Sequence, residues 1–209
     1  MRVAVLGASG RTGRELAAQA LARGHEVVAF VRSRERLGPL AERVAVVEGD
    51  ATSRADVERA LEGVEAVLSA LGPVKGGPPD AMRRAAENVV QAMEARGLRR
   101  LVWLTGAGVA APGDPPSRIR SAVRALLRLV APRTLEDSDA AFAAIAGSHL
   151  EWTVVRAPRL RDGPGRGRLA ALAEPPRPVA VARADVAAFM LDQLEDDRHV
   201  RRAPFVAYR

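Results

Sequence analysis

Hydrophobic positions along the chain alternate between two spacings. The short apolar run Val3–Leu6 ends at Gly7 and is typical of a buried parallel strand, whereas apolar residues from Arg11 to Arg23 recur at helical spacing. The same alternation then repeats. Further strands are predicted at Glu26–Val31, Val44–Glu48, Ala66–Ser69, Arg100–Thr105, Trp152–Arg156 and Phe205–Tyr208. Helices are predicted between them, at about 53–62, 80–96, 117–130, 134–146 and 183–195.

Strands that alternate with helices indicate a particular architecture. Right-handed crossovers between parallel strands place helices on both faces of the sheet. We therefore expect an α/β fold of the Rossmann-like, doubly wound type with a mostly parallel sheet. No composition shift or linker divides residues 1–209, so a single domain is expected. Ligands of such sheets bind beyond the carboxyl ends of the strands, and the loops after strands 4, 5 and 6 are expected to hold the substrate.

Composition narrows the possible chemistry. The chain has no cysteine and only three scattered histidines, so thiolate catalysis and metal sites are not expected. The net charge of +7 comes from arginines interspersed with acids, and aromatic residues make up 3%. A solvated basic surface is therefore favoured over nucleic-acid binding. The sequence does not start like a leader peptide, and no apolar run approaches the ~20 residues that are needed to span a membrane. We therefore expect a cytoplasmic protein without a membrane partner.

The segment GASGRTG places glycines at positions 7, 10 and 13, between the first strand and the first helix. A glycine-spaced loop can be no more than a tight turn. In a βαβ unit, however, backbone N–H groups and the positive helix end meet a pyrophosphate at this point. Gly7 would permit the turn, Gly10 the approach of phosphate, and Gly13 the packing of helix on strand. The context favours nucleotide binding.

The end of the second strand, VAFVRS, bears on which nucleotide binds. Arg32 and Ser33 stand where an acidic residue would hydrogen-bond the ribose 2′-hydroxyl of NAD. An arginine instead attracts a 2′-phosphate, so NADP(H) is favoured over NAD(H). Arg11 in the glycine loop is a candidate for the same phosphate pocket. Arg36 is equally well explained as a surface residue.

The ends of the third and fourth strands are compatible with a cofactor groove. The third ends VEGDAT, which places Asp50 and Ala51 where the adenine would lie. The fourth ends LSALG and offers small residues where the cofactor must pass closely, namely Ser69, Ala70 and Gly72. Aspartate and glycine are also ordinary turn residues, so these positions add support only in combination with the glycine loop.

Seven segments, in order, carry a resemblance that covers nearly the whole chain: GASGRTG, VRS, GDAT, SALG, LTGAGV, LEWTVVRAPRL and ARADVAAFML. Together they resemble the atypical, NAD(P)H-binding short-chain dehydrogenase/reductases. That grouping includes biliverdin-IXβ reductase/flavin reductase, NmrA-like regulators and many bacterial oxidoreductases. The resemblance implies a Rossmann fold and a nicotinamide cofactor, but no particular substrate, because members differ in the loops that bind it.

The resemblance also implies site residues. The residues that it implies around the pyrophosphate are Gly7, Ser9, Gly10, Arg11, Thr12 and Gly13. It implies that Arg32 contacts the 2′-phosphate and that Asp50 and Ala51 lie by the adenine. The residues implied to lie by the ribose are Ala70, Leu71 and Gly72. Thr105 matches the place where the larger family carries a catalytic serine. The segment implied to close over the nicotinamide consists of Arg156, Ala157 and Pro158.

The chain departs from the larger family in its catalytic pair. There, a tyrosine and a lysine four residues later protonate the substrate and hold the ribose, because a nearby cation lowers the tyrosine pKa. Here the only lysine is Lys75 and the only tyrosine is Tyr208. Counting back from SHLEWT, the two family positions fall near Thr134 and Ser138. The composition therefore predicts a reaction that does not use this pair.

Hydride transfer to an acceptor that takes its proton from solvent does not require a tyrosine acid. We therefore expect NADPH-dependent reduction of a planar conjugated acceptor such as a flavin, a quinone or a linear tetrapyrrole, with Thr105 donating one hydrogen bond. Arg159 and Arg161, in the loop RAPRLRDGPGRGRL, are expected to bind an anionic group of this small molecule. Solvated arginines that only aid solubility are the alternative.

A different class of function also fits the missing pair. A non-catalytic, NADP(H)-sensing protein of the NmrA-like kind would bind the nucleotide and change its affinity for a protein partner. Sugar-nucleotide epimerase or dehydratase activity is less favoured, because such enzymes use the tyrosine–lysine pair and a larger C-terminal region. The arginine-bearing helix predicted at 117–130 has two interpretations, a contact with a partner subunit or a cover for the pocket.

Overall fold

A computed structural model of the chain describes residues 1–73, 76–174 and 180–208, so Lys75 lies outside the described residues. The ten strands are β1 (Arg2–Leu6), β2 (Glu26–Val31), β3 (Ala45–Glu48), β4 (Ala66–Ser69), β5 (Arg100–Gly106), β6 (Glu151–Ala157), β7 (Arg159–Arg161), β8 (Ala170–Leu172), β9 (Ala180–Ala182) and β10 (Phe205–Ala207). Eight of them form one sheet in the order β3-β2-β1-β4-β5-β6-β10-β8. All its pairs are parallel except β10 with β8. Strands β7 and β9 form a separate parallel pair.

Helices cover both faces of the sheet. They are α1 (Arg11–Ala22), α2 (Arg54–Ala60), α3 (Ala81–Ala95), α4 (Arg118–Val130), α5 (Pro132–Ala146) and α6 (Arg183–Asp192). Successive strand residues point to opposite faces. In β1, Val3 and Val5 therefore pack with α1 and α6 in one core, whereas Ala4 and Leu6 pack with α2, α3 and α5 in the other. The doubly wound α/β fold expected from the sequence is confirmed.

The predicted and observed elements differ mainly in short segments. Each predicted strand and helix is present, with ends shifted by up to three residues. Strands β7, β8 and β9 were not predicted, because three residues are too few to show a periodic pattern. The 3-10 segment Arg34–Glu42 was also not predicted, and Gly38 interrupts it with a φ of 60°.

The arrangement of β1 and β4 creates a crevice at the carboxyl edge of the sheet. These two strands are neighbours, but the chain leaves β1 toward β2 on one side and continues from β4 toward β5 on the other. The loops that follow them therefore diverge, which is the place where open α/β sheets bind ligands. The crevice lies beside Gly7, after β1, and Ala70, after β4.

Candidate functional site

A cavity of about 600 Å³ occupies this crevice. The volume falls within the range of about 300–1,000 Å³ that is usual for small-molecule sites. Most residues expected to contact a cofactor line it: Gly7, Ser9, Gly10, Arg11, Thr12, Arg32, Asp50, Ala51, Ala70, Leu71, Gly72, Thr105, Ala157 and Pro158. The loops after six strands thus meet around one space, although their residues are far apart in the sequence.

The glycine loop forms one wall of the cavity. Gly7 has a φ of 73°, in the left-handed region that side chains other than glycine rarely adopt. A Cβ atom on Gly13 would lie 2.1 Å from the Gly7 carbonyl oxygen, so the helix packs on the loop only because this residue is glycine. Helix α1 begins at the wall, with Gly10 as its N-cap and no acidic residue in its first turn. Its free N–H groups and positive end suit an anion.

Positive charge dominates the polar lining. Four arginines line the cavity, namely Arg11, Arg32, Arg36 and Arg183, whereas Asp50 is the only acid among its described lining residues. Backbone and hydroxyl hydrogen bonds from Thr52, both 2.7 Å, lower the pKa of Asp50, and the charge of Arg32 adds to this effect. The Asp50 carboxylate is thus held by Thr52. The cationic lining remains available to an anionic ligand.

Two of the four arginines share one carboxylate. Asp162 accepts from Arg11 at 2.9 Å and from Arg183 at 2.7 Å. The Arg183 side chain is only 12% exposed, whereas Asp162 is 60% exposed. Sequence reasoning missed Arg183. The sequence offered only its position at the start of the predicted helix ARADVAAFML, because the three-residue strand β9 that precedes α6 shows no periodic pattern.

Two hydroxyl groups lie at the β5 side of the cavity. Thr105 comes from the end of β5 and Ser138 from α5, and both line the cavity, whereas the exposed Thr134 does not. The neighbouring Asp137 accepts from the backbone N–H groups of Met82 and Arg83, at 3.0 and 2.9 Å. This contact fixes α5 against the start of α3, so Ser138 is held in place.

The single tyrosine lies elsewhere. The Tyr208 hydroxyl donates to Asp185 at 2.6 Å and accepts from the Ala182 backbone N–H at 3.0 Å. It is partly buried against the core beneath α6 and does not line the cavity. Tyr208 therefore serves the packing of α6 in this structure.

Six of the expected site residues do not line the cavity: Gly13, Ser33, the fully buried Ser69, Arg156, Arg159 and Arg161. Gly13 packs behind the loop, and the Ser33 hydroxyl donates to Glu35 at 3.0 Å. Arg159 is exposed, and Arg161 donates to the carbonyl oxygen of Pro164 at 3.1 Å within its own loop.

Arg156 points away from the cavity because strand residues alternate in direction. Its neighbour Ala157 lines the cavity, whereas the Arg156 guanidinium donates to both oxygens of Asp114, at 2.6 and 2.7 Å. It also lies 3.7 Å from the centre of the Phe205 ring. Three residues were expected to close over the nicotinamide, Arg156, Ala157 and Pro158. Only Ala157 and Pro158 line the cavity, and Arg156 does not.

A second cavity of about 590 Å³ lies on the Arg156 side of the sheet and is also lined by Trp152, Arg198 and His199. Burial would raise the pKa of Asp114, but hydrogen bonds from Arg156 and from the Ala111 N–H outweigh it, so the pKa is lowered. Arg198 is paired with Asp196 at 2.6 Å. Arg156 and Arg198 are thus paired with carboxylates, whereas Arg201 and Arg202, which also line this cavity, form no ion pair among the described residues.

Two further features are absent from the parts of the chain that the structure describes, a metal-binding cluster and a membrane-spanning helix. No group of three or more histidine, aspartate or glutamate side chains there is placed to hold a metal ion. No helix within the same ranges combines the length and apolar character needed to cross a bilayer. Helix α4, which was expected to contact a partner or cover the pocket, contributes no described residue to the first cavity.

Known proteins share both the sequence pattern and the fold. The 3-diazoavenalumate denitrifying reductase of a Streptomyces species is 40% identical over 128 residues, which cover 56% of this chain and 41% of that protein. The chain thus spans less than half of this relative's length. Among solved structures, the anaerobillin reductase ChuY of Escherichia coli O157:H7 has a TM-score of 0.80 at 22% identity, covering 99% of this chain and 96% of that one.

A second solved structure extends the likeness. A short-chain dehydrogenase/reductase of Veillonella parvula, determined in complex with NADP, has a TM-score of 0.79 at 21% identity and covers 99% of this chain and 94% of that one. At these identities the likeness shows the shared fold. The model of a family described as NAD(P)H-binding matches residues 7–197, from the glycine loop to beyond α6. The chain therefore belongs to the NAD(P)H-binding family.

Proposed function

We propose that the protein is an NADPH-dependent reductase of a planar conjugated acceptor. The observation that carries the proposal is the convergence of the glycine loop, the arginines after β2 and the Thr105 hydroxyl on one cavity. The first two features suit the phosphates of a dinucleotide, and the third is a hydrogen-bond donor at the opposite side. A cavity with phosphate-binding features at one end and a hydroxyl donor at the other suits a reaction between a bound dinucleotide and a second small molecule.

NADP(H) is favoured over NAD(H) by the residues after β2. Arg32 and Arg36 are exposed, line the cavity and form no ion pair among the described residues. Guanidinium groups bind phosphate bidentately, so this pair is suited to a 2′-phosphate. No acidic side chain after β2 lines the described part of the cavity, so none competes with the phosphate there.

The glycine loop and α1 fit a pyrophosphate. A Cβ atom on Gly10 would lie 3.2 Å from the Gly7 carbonyl oxygen, so a side chain at this position would crowd the glycine loop itself. Gly10 lies at the N-terminus of α1, where free N–H groups point outward. We assign pyrophosphate contacts to this loop, adenine contacts to Asp50 and Ala51, and ribose contacts to Ala70, Leu71 and Gly72.

The other end of the cavity suits the reacting groups. A bound nicotinamide would supply a hydride. Ala157 and Pro158 would limit its movement, while the Thr105 hydroxyl would donate a hydrogen bond to the acceptor and orient it. The acceptor would take its proton from solvent, which is possible for flavins, quinones and tetrapyrroles. The relative from Streptomyces is a reductase, which supports assigning reduction to this chain as well.

An acidic group on the acceptor has a suitable binding position on β7. Leu160 lines the cavity, whereas its neighbours Arg159 and Arg161 project from the other face of the same short strand and do not line it. We propose that these two arginines bind a carboxylate or phosphate that extends outward from the acceptor. Replacing both with glutamine should raise the KM for an anionic acceptor but not for a neutral quinone. Equal KM values for the anionic acceptor before and after replacement would exclude this role.

The direct test measures NADPH consumption by the purified protein with FMN, riboflavin, a quinone and biliverdin, with NADH as the comparison. Faster turnover with NADPH is the expected result. NADPH binding without turnover of any acceptor would instead favour the non-catalytic, NADP(H)-sensing function. Absence of NADPH binding by calorimetry would contradict both functions.

A further inference from the structure

Helix α4 presents an apolar stripe to solvent. No described residue of this helix is buried. Its large apolar side chains are exposed to an unusual degree: Ile119 to 39%, Leu126 to 59%, Leu129 to 81% and Val130 to 65%. With the exposed Ala122, their spacing of three and four residues places them along one side of the helix. The stripe is therefore continuous over the length of α4.

The side of α4 that faces the rest of the protein carries two arginines beside Val123 and Leu127, which are partly buried, and Leu127 packs close to Gly108. Arg124 donates to the Gly108 carbonyl oxygen at 2.6 Å and to Asp139 at 2.8 Å. Arg120 donates to the Pro115 carbonyl oxygen at 2.8 Å. A surface helix normally turns its apolar side inward and its charges outward. Helix α4 therefore carries a second apolar side beyond the one that packs inward, and this exposed stripe has no partner among the described residues.

Charge distinguishes between the possible partners. Helix α4 has no acidic residue, and Arg118 and Arg128 are exposed on it, followed by the exposed Arg133 at the start of α5. A second copy of α4 would add more arginines to the same contact. A stable protein interface also uses about 20–30 residues on each side, far more than this stripe offers. An anionic surface that accepts a few apolar side chains fits both observations.

We propose that α4 binds in the plane of a bilayer surface that contains anionic lipids. Leu126, Leu129 and the other apolar side chains would enter the boundary between headgroups and acyl chains, while Arg118 and Arg128 would contact lipid phosphates. This mode needs no spanning helix. It differs from the expectation of no membrane partner, which considered only segments long enough to cross a bilayer.

The contact would also orient the protein. Arg124 ties α4 to Gly108, three residues after the cavity residue Thr105. Helix α4 is therefore anchored at the carboxyl edge of the sheet, the edge that holds the first cavity. The proposal does not depend on the identity of the cofactor or acceptor, because it rests on α4 alone.

Vesicle flotation with the full chain tests the proposal. We expect the protein to float with vesicles of mixed phosphatidylglycerol and phosphatidylcholine but not with phosphatidylcholine alone, and high salt should reduce the binding. The double variant Leu126→Gln/Leu129→Gln should weaken binding roughly tenfold or more, and so should Arg118→Gln/Arg128→Gln. All four side chains are exposed, so circular dichroism and the melting temperature should match those of the unmodified protein.

A matched control removes the same charge elsewhere. Arg43 and Arg96 are exposed residues that precede β3 and β5, at the opposite edge of the sheet. Arg43→Gln/Arg96→Gln should therefore float like the unmodified protein. Absence of flotation with anionic vesicles would overturn the proposal, as would equal losses in the control. A dimer in light scattering that Leu126→Gln/Leu129→Gln dissociates would also overturn it and assign the stripe to a second copy.

Discussion

The two cavities have almost the same volume, about 600 and 590 Å³, and both are lined by arginines, but they differ in where the positive charge goes. In the first, Arg32 and Arg36 have no described ion-pair partner, and Arg11 and Arg183 share the largely exposed Asp162. In the second, Arg156 is 2% exposed and held by Asp114, and Arg198 is held by Asp196. Arg201 and Arg202 also line the second cavity and form no ion pair among the described residues. Cationic lining alone therefore does not identify a candidate ligand site, and the first cavity is distinguished by the glycine loop and the start of α1 beside its arginines.

The largest expected effect tests the assignment of Arg156 to structure. Arg156→Met should lower the free energy of unfolding by about 3–5 kcal/mol, because it leaves the Asp114 carboxylate buried without its main partner. Urea denaturation measures this loss. NADPH affinity of the folded variant should be unchanged. The double variant Arg156→Met/Asp114→Leu should recover part of the stability, and a loss of NADPH affinity without a loss of stability would link Arg156 to the cofactor instead.

Gly13→Ala should displace the glycine loop that forms one wall of the first cavity, although Gly13 itself does not line the cavity. The new methyl group would meet the Gly7 carbonyl oxygen, so the loop must shift, at a cost of about 1–3 kcal/mol in stability. NADPH affinity should fall roughly tenfold, as measured by calorimetry. Gly147→Ala is the matched control, since Gly147 has a helical φ of −76° and lies outside both cavities. Similar effects of the two substitutions on NADPH affinity would contradict the role of the glycine loop.

Arg32→Asp should separate the two cofactors. Loss of a charge-assisted contact and the new repulsion should weaken NADPH binding by roughly 10–100-fold, while NADH binding is maintained or improved. The control Arg34→Asp makes the same charge change two residues away, on a side chain that donates to the Ala41 carbonyl oxygen and does not line the cavity. An unchanged NADPH-to-NADH preference in Arg32→Asp would refute the assignment of the 2′-phosphate site.

Thr105→Ala should lower kcat roughly fivefold, measured with the acceptor that the protein reduces fastest. This fold-change corresponds to the loss of one neutral hydrogen bond. The KM for NADPH should not change, because the hydroxyl is assigned to the acceptor. Thr105→Ser keeps the hydroxyl and should restore most of kcat. Steady-state kinetics at saturating NADPH distinguishes these outcomes, and an unaltered kcat in Thr105→Ala would remove the proposed role.

The smallest effect concerns pH and the second cavity. Burial lowers the pKa of His199 below its ordinary value of 6.5, and its Nδ1 lies 2.8 Å from the Gln193 side-chain oxygen. Because the unfolded chain binds this proton more readily, stability should fall as pH drops below about 6.5 and approaches the lower pKa of the folded state. His199→Gln should reduce that slope in thermal melts, whereas the control His149→Gln, at an exposed position, should retain it.

Residues near the ends of the strands were the part of the site that sequence could predict. Gly7, Arg32 and Thr105 each directly follow or end an apolar run, Asp50 comes two residues after the end of β3, and all four line the cavity. Sequence reasoning was less successful where direction mattered. Arg156 and Ala157 end the same strand, but the alternation of side chains sends one to each face, and the pattern alone did not show which face holds the cavity.

Contacts between distant segments could not be predicted. Asp162 joins Arg11 and Arg183 only because β7 lies between the glycine loop and the start of α6. Ser138 faces the cavity because Asp137 fixes α5 on α3. The outward stripe of α4 has the same cause, since its helical spacing fits an inward stripe equally well until Asp139 and Gly108 engage Arg124.

The sequence by itself determined the order of strands and helices, the doubly wound fold and the glycine loop, because these depend on local periodicity and on backbone conformations that only glycine adopts readily. Tertiary structure alone decided which arginines line the first cavity and which, like Arg156, are paired inside the protein. It also decided which side of α4 is exposed. These outcomes depend on burial and on charge pairs between residues far apart in the chain, and periodicity carries no information about either.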